Sequence, residues 1–396
     1  MNSVEGPRQA LSLLLPQADR TLKTFRLTAP RDFPSRSTVP LNRIAFAAVH
    51  VVADPLADVD PWLTAAIDWD RTIAFREHIW DLGLGVAEAM DTAQRGMGID
   101  WPMSLELIRR SVASARARGG LVFAGCGTDH LAPEQASGLD DVIRAYEEQI
   151  EAIEAVGGRI VLMASRALAR VGRSAEDYAK VYGRILRQVR EPVIIHWLGD
   201  MFDPQLAGYW GSRDLAIAMG NAIAIINVNA DKVDGVKISL LDKDLEIAMR
   251  RRLNAGLHTY TGDDFNYVEL IEGDRAGYSD ALLGIFDVIA PAASAALAKL
   301  AANDKAGFRA ILAATVPLAR HLFSAPTRFY KTGVVFMAYL NGHQDHFTLV
   351  GGQESARSTL HLAEIFRLAD AAGLLGDPEL AVARMRTVLA ARGVEA

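Results

Sequence analysis

The chain has 396 residues, of which 50% are hydrophobic and 23% charged, and its formal net charge is -6. A chain of this size and composition buries a large core, which argues against disorder. The acidic balance excludes the broad basic surface that collects phosphate backbones, so no nucleic acid partner is expected.

Targeting and redox signals point to a reducing compartment. The early apolar run Leu11 to Leu15 is stopped by Pro16, and it is too short for a membrane span or a signal-peptide core. The only cysteine, Cys126, excludes an internal disulfide and any multi-cysteine metal site. We therefore expect a cytoplasmic protein with no membrane partner.

The predicted strands begin after an N-terminal arm, residues 1–42, which contains Pro16, Pro30, Pro34 and Pro40. They recur along the chain, and helical patterns or loops separate them. The predicted strands are Ile44–Val52, Leu84–Ala89, Leu121–Ala124, Arg159–Met163, Pro192–Trp197, Val233–Ser239, Leu257–Thr261 and Ala276–Tyr278. From about residue 281 the pattern is helical almost to the end.

Continuous apolar runs, rather than alternating ones, predict strands of a parallel sheet that is buried on both faces. Eight such units predict an α/β fold, a (β/α)8 TIM barrel over residues 43–290, followed by a C-terminal helical extension over 291–396. A doubly wound open sheet would need a glycine-rich phosphate-binding sequence after its first strand. The run after Val52 is Ala53-Asp54-Pro55-Leu56, and no such sequence occurs in the chain.

The sixth predicted strand carries a lysine in an otherwise apolar setting. Alternation sends Val236 and Ile238 to one side and Gly235, Lys237 and Ser239 to the other. A buried lysine is unfavourable unless it is paired or neutral, and a neutral amine is the form that attacks a carbonyl to make an imine. The bland alternative is a lysine that reaches water or pairs with a nearby aspartate.

In a barrel of this kind, chemistry occurs at the C-terminal ends of the strands. The polar residues predicted to lie there, as substrate-binding candidates, are His50, Glu88, Asp91, Thr92, Thr128, Trp197, Asp263, Asp264 and Ser279. Each candidate also has a structural interpretation. Asp263 and Ser279 are residue types that cap helices, and His50 is equally compatible with a hydrogen-bonded core histidine.

The order of these motifs resembles one known family. Lys237 on strand six, Gly262-Asp263-Asp264 after strand seven, Ala276-Gly277-Tyr278-Ser279 at strand eight and a helical C-terminal extension resemble the dihydrodipicolinate synthase and N-acetylneuraminate lyase family over about residues 43–376. The resemblance implies a class I aldolase barrel in which Lys237 forms a Schiff base with a 2-oxo acid. It also implies a small-molecule substrate, no cofactor or metal, and assembly into homo-oligomers.

Two departures from the family pattern mark a divergent branch. His196 stands where the family has a strand-five tyrosine that relays protons, and it is the predicted proton carrier. The Gly-Thr-Thr-Gly-Glu motif that holds the substrate carboxylate is replaced by Ala89-Met90-Asp91-Thr92-Ala93. Because Asp91 would repel a carboxylate, we expect pyruvate and aspartate semialdehyde to be a poor substrate pair. Aspartate, histidine and tryptophan side chains would suit a polyhydroxylated substrate.

The sequence thus predicts a lyase or aldolase that makes or cleaves a carbon–carbon bond of a small oxo acid or sugar-derived carbonyl compound, with Lys237 and His196 as catalytic residues. One alternative is a metal-dependent barrel hydrolase or isomerase with ligands drawn from His50, Glu88, Asp91, His196, His258 and Asp263. It lacks the His-x-His sequence expected after strand one, since Val51 and Val52 follow His50. The other is a barrel that has lost catalysis and binds a small metabolite.

Overall fold

The computed structural model describes residues 11–36 and 38–395 of the chain. These residues contain ten strands and fifteen α-helices. The strands are β1 (Ser12–Pro16), β2 (Leu22–Arg26), β3 (Ala45–Ala48), β4 (Gly85–Glu88), β5 (Val122–Cys126), β6 (Arg159–Leu162), β7 (Val193–Leu198), β8 (Val233–Ser239), β9 (His258–Thr261) and β10 (Asp280–Leu283). The helices are α1 (Trp69–Asp81), α2 (Trp101–Arg118), α3 (Leu139–Ala155), α4 (Arg166–Val171), α5 (Ala175–Gln188), α6 (Leu215–Val228), α7 (Lys243–Arg250), α8 (Tyr267–Glu272), α9 (Ile285–Val288), α10 (Ala290–Ala301), α11 (Lys305–Leu312), α12 (Val316–Leu322), α13 (Tyr330–Leu340), α14 (Thr359–Ala371) and α15 (Pro378–Ala391). None of the helices in these residues is long and apolar enough to cross a membrane.

Strands β3 to β10 form one closed barrel in the order β10-β3-β4-β5-β6-β7-β8-β9, and every neighbouring pair is parallel. The predicted (β/α)8 barrel with a helical C-terminal region is therefore confirmed. In the ladder of β7, β8 and β9, Lys237 is paired with His196 on one side and with Tyr260 on the other. This register brings the predicted catalytic residues to one level of the barrel.

The two faces of each strand meet different surroundings. Val236 and Ile238 lie in the apolar layer between the barrel and its helices, as the alternation predicts. The barrel interior contains a separate apolar cluster, in which the Phe46 ring lies edge-to-face with Phe123 and Tyr260 at centroid distances of 5.3 and 5.9 Å. These aromatic side chains fill the interior, so the cavities that concern chemistry lie above them at the C-terminal ends of the strands.

The eighth barrel strand differs from the prediction. It is β10, Asp280–Leu283, whereas Ala276–Tyr278 forms a turn in which Tyr278 is exposed. The prediction is wrong because β10 gives no clear strand signal in the sequence. It is buried on both faces, so its residues do not alternate between apolar and polar, and its apolar run continues almost directly into α9. Ser279 and Asp280 consequently lie at the N-terminal end of the strand, away from the end where chemistry was expected.

The N-terminal arm and the C-terminal extension pack on each other. Within the predicted arm, whose first ten residues lie outside the described part, β1 and β2 pair as an antiparallel hairpin. Leu13 and Leu15 of the hairpin join the apolar cluster that contains α14 and α15. Asp370 of α14 accepts hydrogen bonds from the amide and hydroxyl of Thr28. All eleven residues of α13 are buried, so this helix holds the extension against the barrel.

Candidate active site

Lys237 lies on the inward face of β8, near its C-terminal end, and only 7% of its surface is exposed. No carboxylate oxygen of the described residues lies within 4.0 Å of its ammonium nitrogen. Burial lowers the pKa of Lys237, and the charges of Asp91 and Asp264 oppose this shift. The lysine is thus neither exposed nor ion-paired, and its burial shifts the equilibrium towards the neutral amine.

The amine faces a narrow cavity of about 20 Å³. Its other lining residues are Ala48, Met90, Asp91, Thr92, Leu198, Phe202, Ser239, Asp264, Gly284, Phe323 and Tyr330. Two larger cavities, of about 220 and 290 Å³, share Asp91 with this one and therefore adjoin it. Together the three form a candidate substrate site at the C-terminal end of the barrel.

Asp264 follows β9 and is the buried carboxyl group of the lysine cavity. Its Oδ1 accepts a hydrogen bond of 2.9 Å from the Ile285 amide. Burial raises the pKa of Asp264 to about 7, although the Lys237 ammonium favours the carboxylate. A group with this pKa can give or take a proton at neutral pH. A side chain at the nearby Gly262 would place its Cβ 2.9 Å from Lys237 Cε, so glycine keeps this space open.

His196 lies on β7 at the level of Lys237 and is fully buried. Its Nε2 lies 3.1 Å from the Ser239 hydroxyl, and its Nδ1 has no hydrogen-bond partner in the described residues. Burial, reinforced by the Lys237 charge, holds the pKa of His196 well below its usual value. Burial and the neighbouring charge therefore favour the neutral form of the imidazole. It lines the 220 Å³ cavity, as does Thr128, whose hydroxyl lies 2.6 Å from that of Ser165.

Thr92 and Tyr330 bring two hydroxyl groups to the lysine cavity. Thr92 lies in a short turn after β4, and its Oγ1 is 2.8 Å from the phenolic oxygen of Tyr330, the first residue of α13. The Tyr330 ring stacks on Phe323 at a centroid distance of 4.3 Å. Sequence reasoning missed Tyr330, because it belongs to the C-terminal extension and adjoins an apolar run typical of a core helix.

Two predicted binding residues, His50 and Glu88, are buried in structural contacts instead. His50 Nδ1 lies 2.7 Å from Asp287 Oδ2, and the same oxygen accepts the His50 amide at 2.8 Å. Glu88 forms two hydrogen bonds of 2.9 Å with the Arg76 guanidinium on α1. His50 is thus paired with Asp287 and Glu88 with Arg76, and neither predicted residue lines the lysine cavity.

Three further candidates also lie elsewhere. Trp197 faces outward from β7 and packs against Trp210 at a centroid distance of 6.4 Å. Asp263 accepts hydrogen bonds from the amides of Phe265 and Asn266 in the turn before α8, but the N-cap residue of this helix is Asn266. Ser279 donates a hydrogen bond of 2.7 Å to the buried Glu246. The site thus gathers Lys237, His196, Asp91, Thr92, Thr128 and Asp264 from the predicted set.

The proposed metal ligands are not brought together. Across residues 11–36 and 38–395, no group of three or more His, Cys, Asp or Glu side chains is arranged to hold a metal ion. Glu88 is occupied by Arg76 and His258 by Asp280, whose Oδ2 lies 2.7 Å from the imidazole Nδ1. The carboxylate and imidazole groups of the barrel therefore serve mainly as partners of other protein side chains.

Comparisons with known proteins agree with this architecture. The family model described as "Protein of unknown function (DUF993)" matches residues 13–394. The search of curated proteins found no match.

Several solved structures share the fold, and they are members of the dihydrodipicolinate synthase family. Dihydrodipicolinate synthase from Aquifex aeolicus superposes with a TM-score of 0.62 at 13% identity, covering 84% of this chain and 99% of that chain. A putative dihydrodipicolinate synthetase from Pseudomonas aeruginosa gives 0.63 at 14% identity, with coverage of 83% and 99%. YagE from E. coli K12, a family member solved with pyruvate, gives 0.64 at 14% identity, with coverage of 84% and 99%. At these identities the likeness establishes the fold.

Proposed function

We propose that this chain, which belongs to the DUF993 family of proteins of unknown function, is a carbon–carbon lyase of the aldolase type that forms an imine between Lys237 and a small carbonyl substrate. The substrate class is a small oxo acid or a sugar-derived carbonyl compound. The observation that carries the proposal is the buried lysine without a carboxylate partner at the C-terminal end of the barrel. The fold shared with dihydrodipicolinate synthases supports it.

The proposed reaction starts with the neutral amine of Lys237 attacking the substrate carbonyl carbon. The carbonyl oxygen takes one proton from the nitrogen and a second proton from a nearby acid, and it departs as water to leave an iminium ion. In the cleavage direction, a base removes the proton of a hydroxyl group on the carbon β to the iminium carbon. The carbon–carbon bond then breaks, and its electron pair moves into the iminium to give an enamine. Protonation of the enamine carbon and hydrolysis return free Lys237.

Each of these steps needs a nearby group that carries a proton. Asp264 fits the first exchange, since its pKa of about 7 lets it take the proton that Lys237 must lose and return it to the departing oxygen. His196 lies on β7, the strand on the other side of Lys237 from Asp264, and its neutral form is a base. We propose that it carries the proton in the step that breaks or forms the carbon–carbon bond. Tyr330, hydrogen-bonded to Thr92, lines the same cavity and can hold the reacting oxygen.

Asp91 bears on the choice of substrate. It lines the lysine cavity at the position where the resembled family has neutral hydroxyl groups for a carboxylate. An anion there disfavours a carboxylate bonded directly to the reacting carbonyl. We therefore propose that pyruvate with aspartate semialdehyde is turned over poorly, and formation of dihydrodipicolinate at an enzyme-like rate would contradict this.

Borohydride trapping tests the imine directly. The protein is treated with borohydride in the presence of a panel of oxo acids and sugar aldehydes, and the labelled peptide is located by mass spectrometry. We expect one substrate-dependent label, on Lys237, and its loss together with turnover in Lys237→Met. Lys232→Met is the matched control, because Lys232 lies at the opposite end of β8, where it donates a hydrogen bond to the Val189 carbonyl.

Two outcomes would contradict the proposal. A label that persists in Lys237→Met would place the chemistry on another lysine. If the variant unfolded, loss of the label would not report on the chemistry. We expect the variant to fold, because the substitution should stabilise the protein. Because the pKa of Lys237 is lowered by folding, its charged form opposes folding at neutral pH, and methionine removes that cost. A stable Lys237→Met protein with full turnover would refute the mechanism.

A further inference from the structure

A second buried lysine lies next to the lysine cavity. Lys331, the second residue of α13, is 3% exposed, and its ammonium donates a hydrogen bond of 3.0 Å to the Arg328 carbonyl. Its only other close polar neighbour among the described residues is the Met97 sulfur at 3.3 Å, a weak acceptor. No carboxylate oxygen in that part of the chain lies within 4.0 Å. A buried ammonium with one good acceptor is unfavourable unless an anion joins it.

Lys331 lines the cavity of about 290 Å³ that adjoins the lysine cavity. The other charged residues of this wall are Asp91, Arg95, Arg166, Asp203 and Arg328. Arg95 is paired with Asp129 at 2.7 Å, and Arg166 with Asp203 at 2.5 Å.

Two cations of this wall remain without an acidic partner. Arg328 is exposed and its guanidinium has no ion pair among the described residues, its nearest ring being that of Phe329 at 4.9 Å. Lys331 is buried and lacks a carboxylate. Asp91 is the one carboxylate of the wall that forms no ion pair with a described residue, so the unpaired cations exceed the unpaired anions. One of the unpaired cations is buried and the other is exposed on the cavity wall. Such an excess of positive charge favours binding of an oxyanion.

We infer that this cavity is an anion subsite, in which Lys331 and Arg328 bind a carboxylate or phosphate group carried by the substrate. The inference rests on the proposed function, since it assigns the part of the substrate that lies away from the reacting carbonyl. Asp91, Phe202 and Tyr330 line both cavities, so a ligand can occupy the two together. In the lysine cavity Asp264 adds a second carboxyl group to Asp91, which disfavours an anion at the carbonyl. In the other cavity Lys331 and Arg328 outnumber Asp91, which favours an anion there.

Binding of simple anions tests the subsite without catalysis. Inorganic phosphate and succinate are titrated calorimetrically into the full chain and into Lys331→Met. We expect the variant to bind the favoured anion about tenfold or more weakly, as loss of a charge-assisted hydrogen bond predicts. Lys180→Met is the matched control, because this lysine is 61% exposed on α5 and far from the cavity wall. Equal affinities for wild type and Lys331→Met, or absence of binding by both anions, would overturn the subsite.

Arg328→Gln gives a second variant that does not touch the core. Its side chain is exposed and forms no hydrogen bond with a described residue, so folding should be unaffected. We expect it to weaken binding of the same anion in the same direction. Binding that is unchanged in Arg328→Gln and in Lys331→Met together would assign any observed anion to another surface.

Trapping with matched carbonyl probes connects the subsite to the reaction. Glyceraldehyde is compared with glyceraldehyde 3-phosphate, and pyruvate with 2-oxoglutarate, so each pair differs by an anionic group. We expect the member with the additional anionic group, in one of the two pairs, to label Lys237 at a lower concentration than the member that lacks this group. This preference should disappear in Lys331→Met. The pair that shows the preference identifies the bound group as a phosphate or a carboxylate.

The two proposals fail in different ways. Labelling of Lys237 with no preference, or with a preference that survives Lys331→Met, would overturn the subsite and leave the imine mechanism intact. Anion binding that depends on Lys331, with no label on Lys237 for any probe, would support the subsite and refute the mechanism. A label on Lys331 itself would overturn both assignments.

Discussion

Replacing Glu88 with glutamine separates a structural role from a role in the site. Sequence reasoning made Glu88 a substrate-binding residue, whereas the structure pairs it with Arg76, and both side chains are fully buried. Each Glu88 oxygen accepts a guanidinium hydrogen bond of 2.9 Å, and Oε1 also accepts the Ala89 amide at 2.8 Å. Arg76 in turn donates to the carbonyl groups of His50 and Thr72. The network therefore joins α1 to the ends of β3 and β4.

Glu88→Gln preserves the shape of the side chain and leaves the Arg76 guanidinium buried without a counter-charge. Removal of one partner of a buried pair costs about 3–5 kcal/mol. The unfolding entropy of a chain of 396 residues is about 0.8 kcal/mol per kelvin at the midpoint, so the expected decrease in Tm is about 4–6 °C. The double variant Arg76→Met, Glu88→Gln should recover much of this loss, because no unpaired charge remains.

Urea unfolding followed by circular dichroism measures the change, and borohydride trapping on the folded protein measures the site. We expect a lower unfolding midpoint and unchanged trapping for Glu88→Gln. The structural assignment is refuted if trapping or turnover collapses while the unfolding free energy stays within about 0.5 kcal/mol of wild type, the usual range of a neutral substitution. Glu88 would then act on substrate, as the sequence suggested.

Three other substitutions have distinct expected results. His196→Phe should slow turnover while leaving some borohydride trapping of Lys237, and full turnover would remove His196 from the mechanism. Tyr330→Phe deletes only the hydroxyl bonded to Thr92, so kcat should fall with little change in Tm; an unchanged kcat would make that hydroxyl structural. Burial raises the pKa of Glu246 to about 8, so its contribution to folding is greatest below pH 4.5 and is lost as the pH rises towards 8. Glu246→Gln should abolish that decline in the urea-derived unfolding free energy, and parallel pH profiles would contradict it.

The barrel was predictable because most of its strands are short apolar runs with clear ends. Strand β8 begins and ends where the pattern predicts, from Val233 to Ser239. Strand β10 was misplaced, because its run from Ala281 continues through Gly284 into α9 without a polar break. Local pattern cannot locate a strand boundary when burial on both faces removes the period of two.

Strand alternation predicts which residues of a strand can face the candidate site, and it would have excluded some of the proposed binding residues. His196 and Trp197 are adjacent on β7, so only one of them can face the barrel interior, and it is His196. In the same way, Glu88 follows Ala87, which faces the barrel interior, so Glu88 faces outward. Tyr330 and Lys331 gave no such signal, because the fold of the whole C-terminal extension brings them to the site. Side chains supplied by distant elements cannot be found from spacing in one strand.

Burial around Lys237 suggests how the site prepares its amine. It lowers the pKa of Lys237 and raises that of Asp264 to about 7, so folding moves the two values towards each other. When the two pKa values are close, the state with a neutral amine and a neutral acid differs little in free energy from the state with both groups charged. A substrate that excludes water from the cavity favours this neutral pair further, because both charged forms lose solvation. In the proposed mechanism, substrate binding would thus favour the neutral amine of Lys237 and a protonated Asp264 that can give its proton to the departing oxygen.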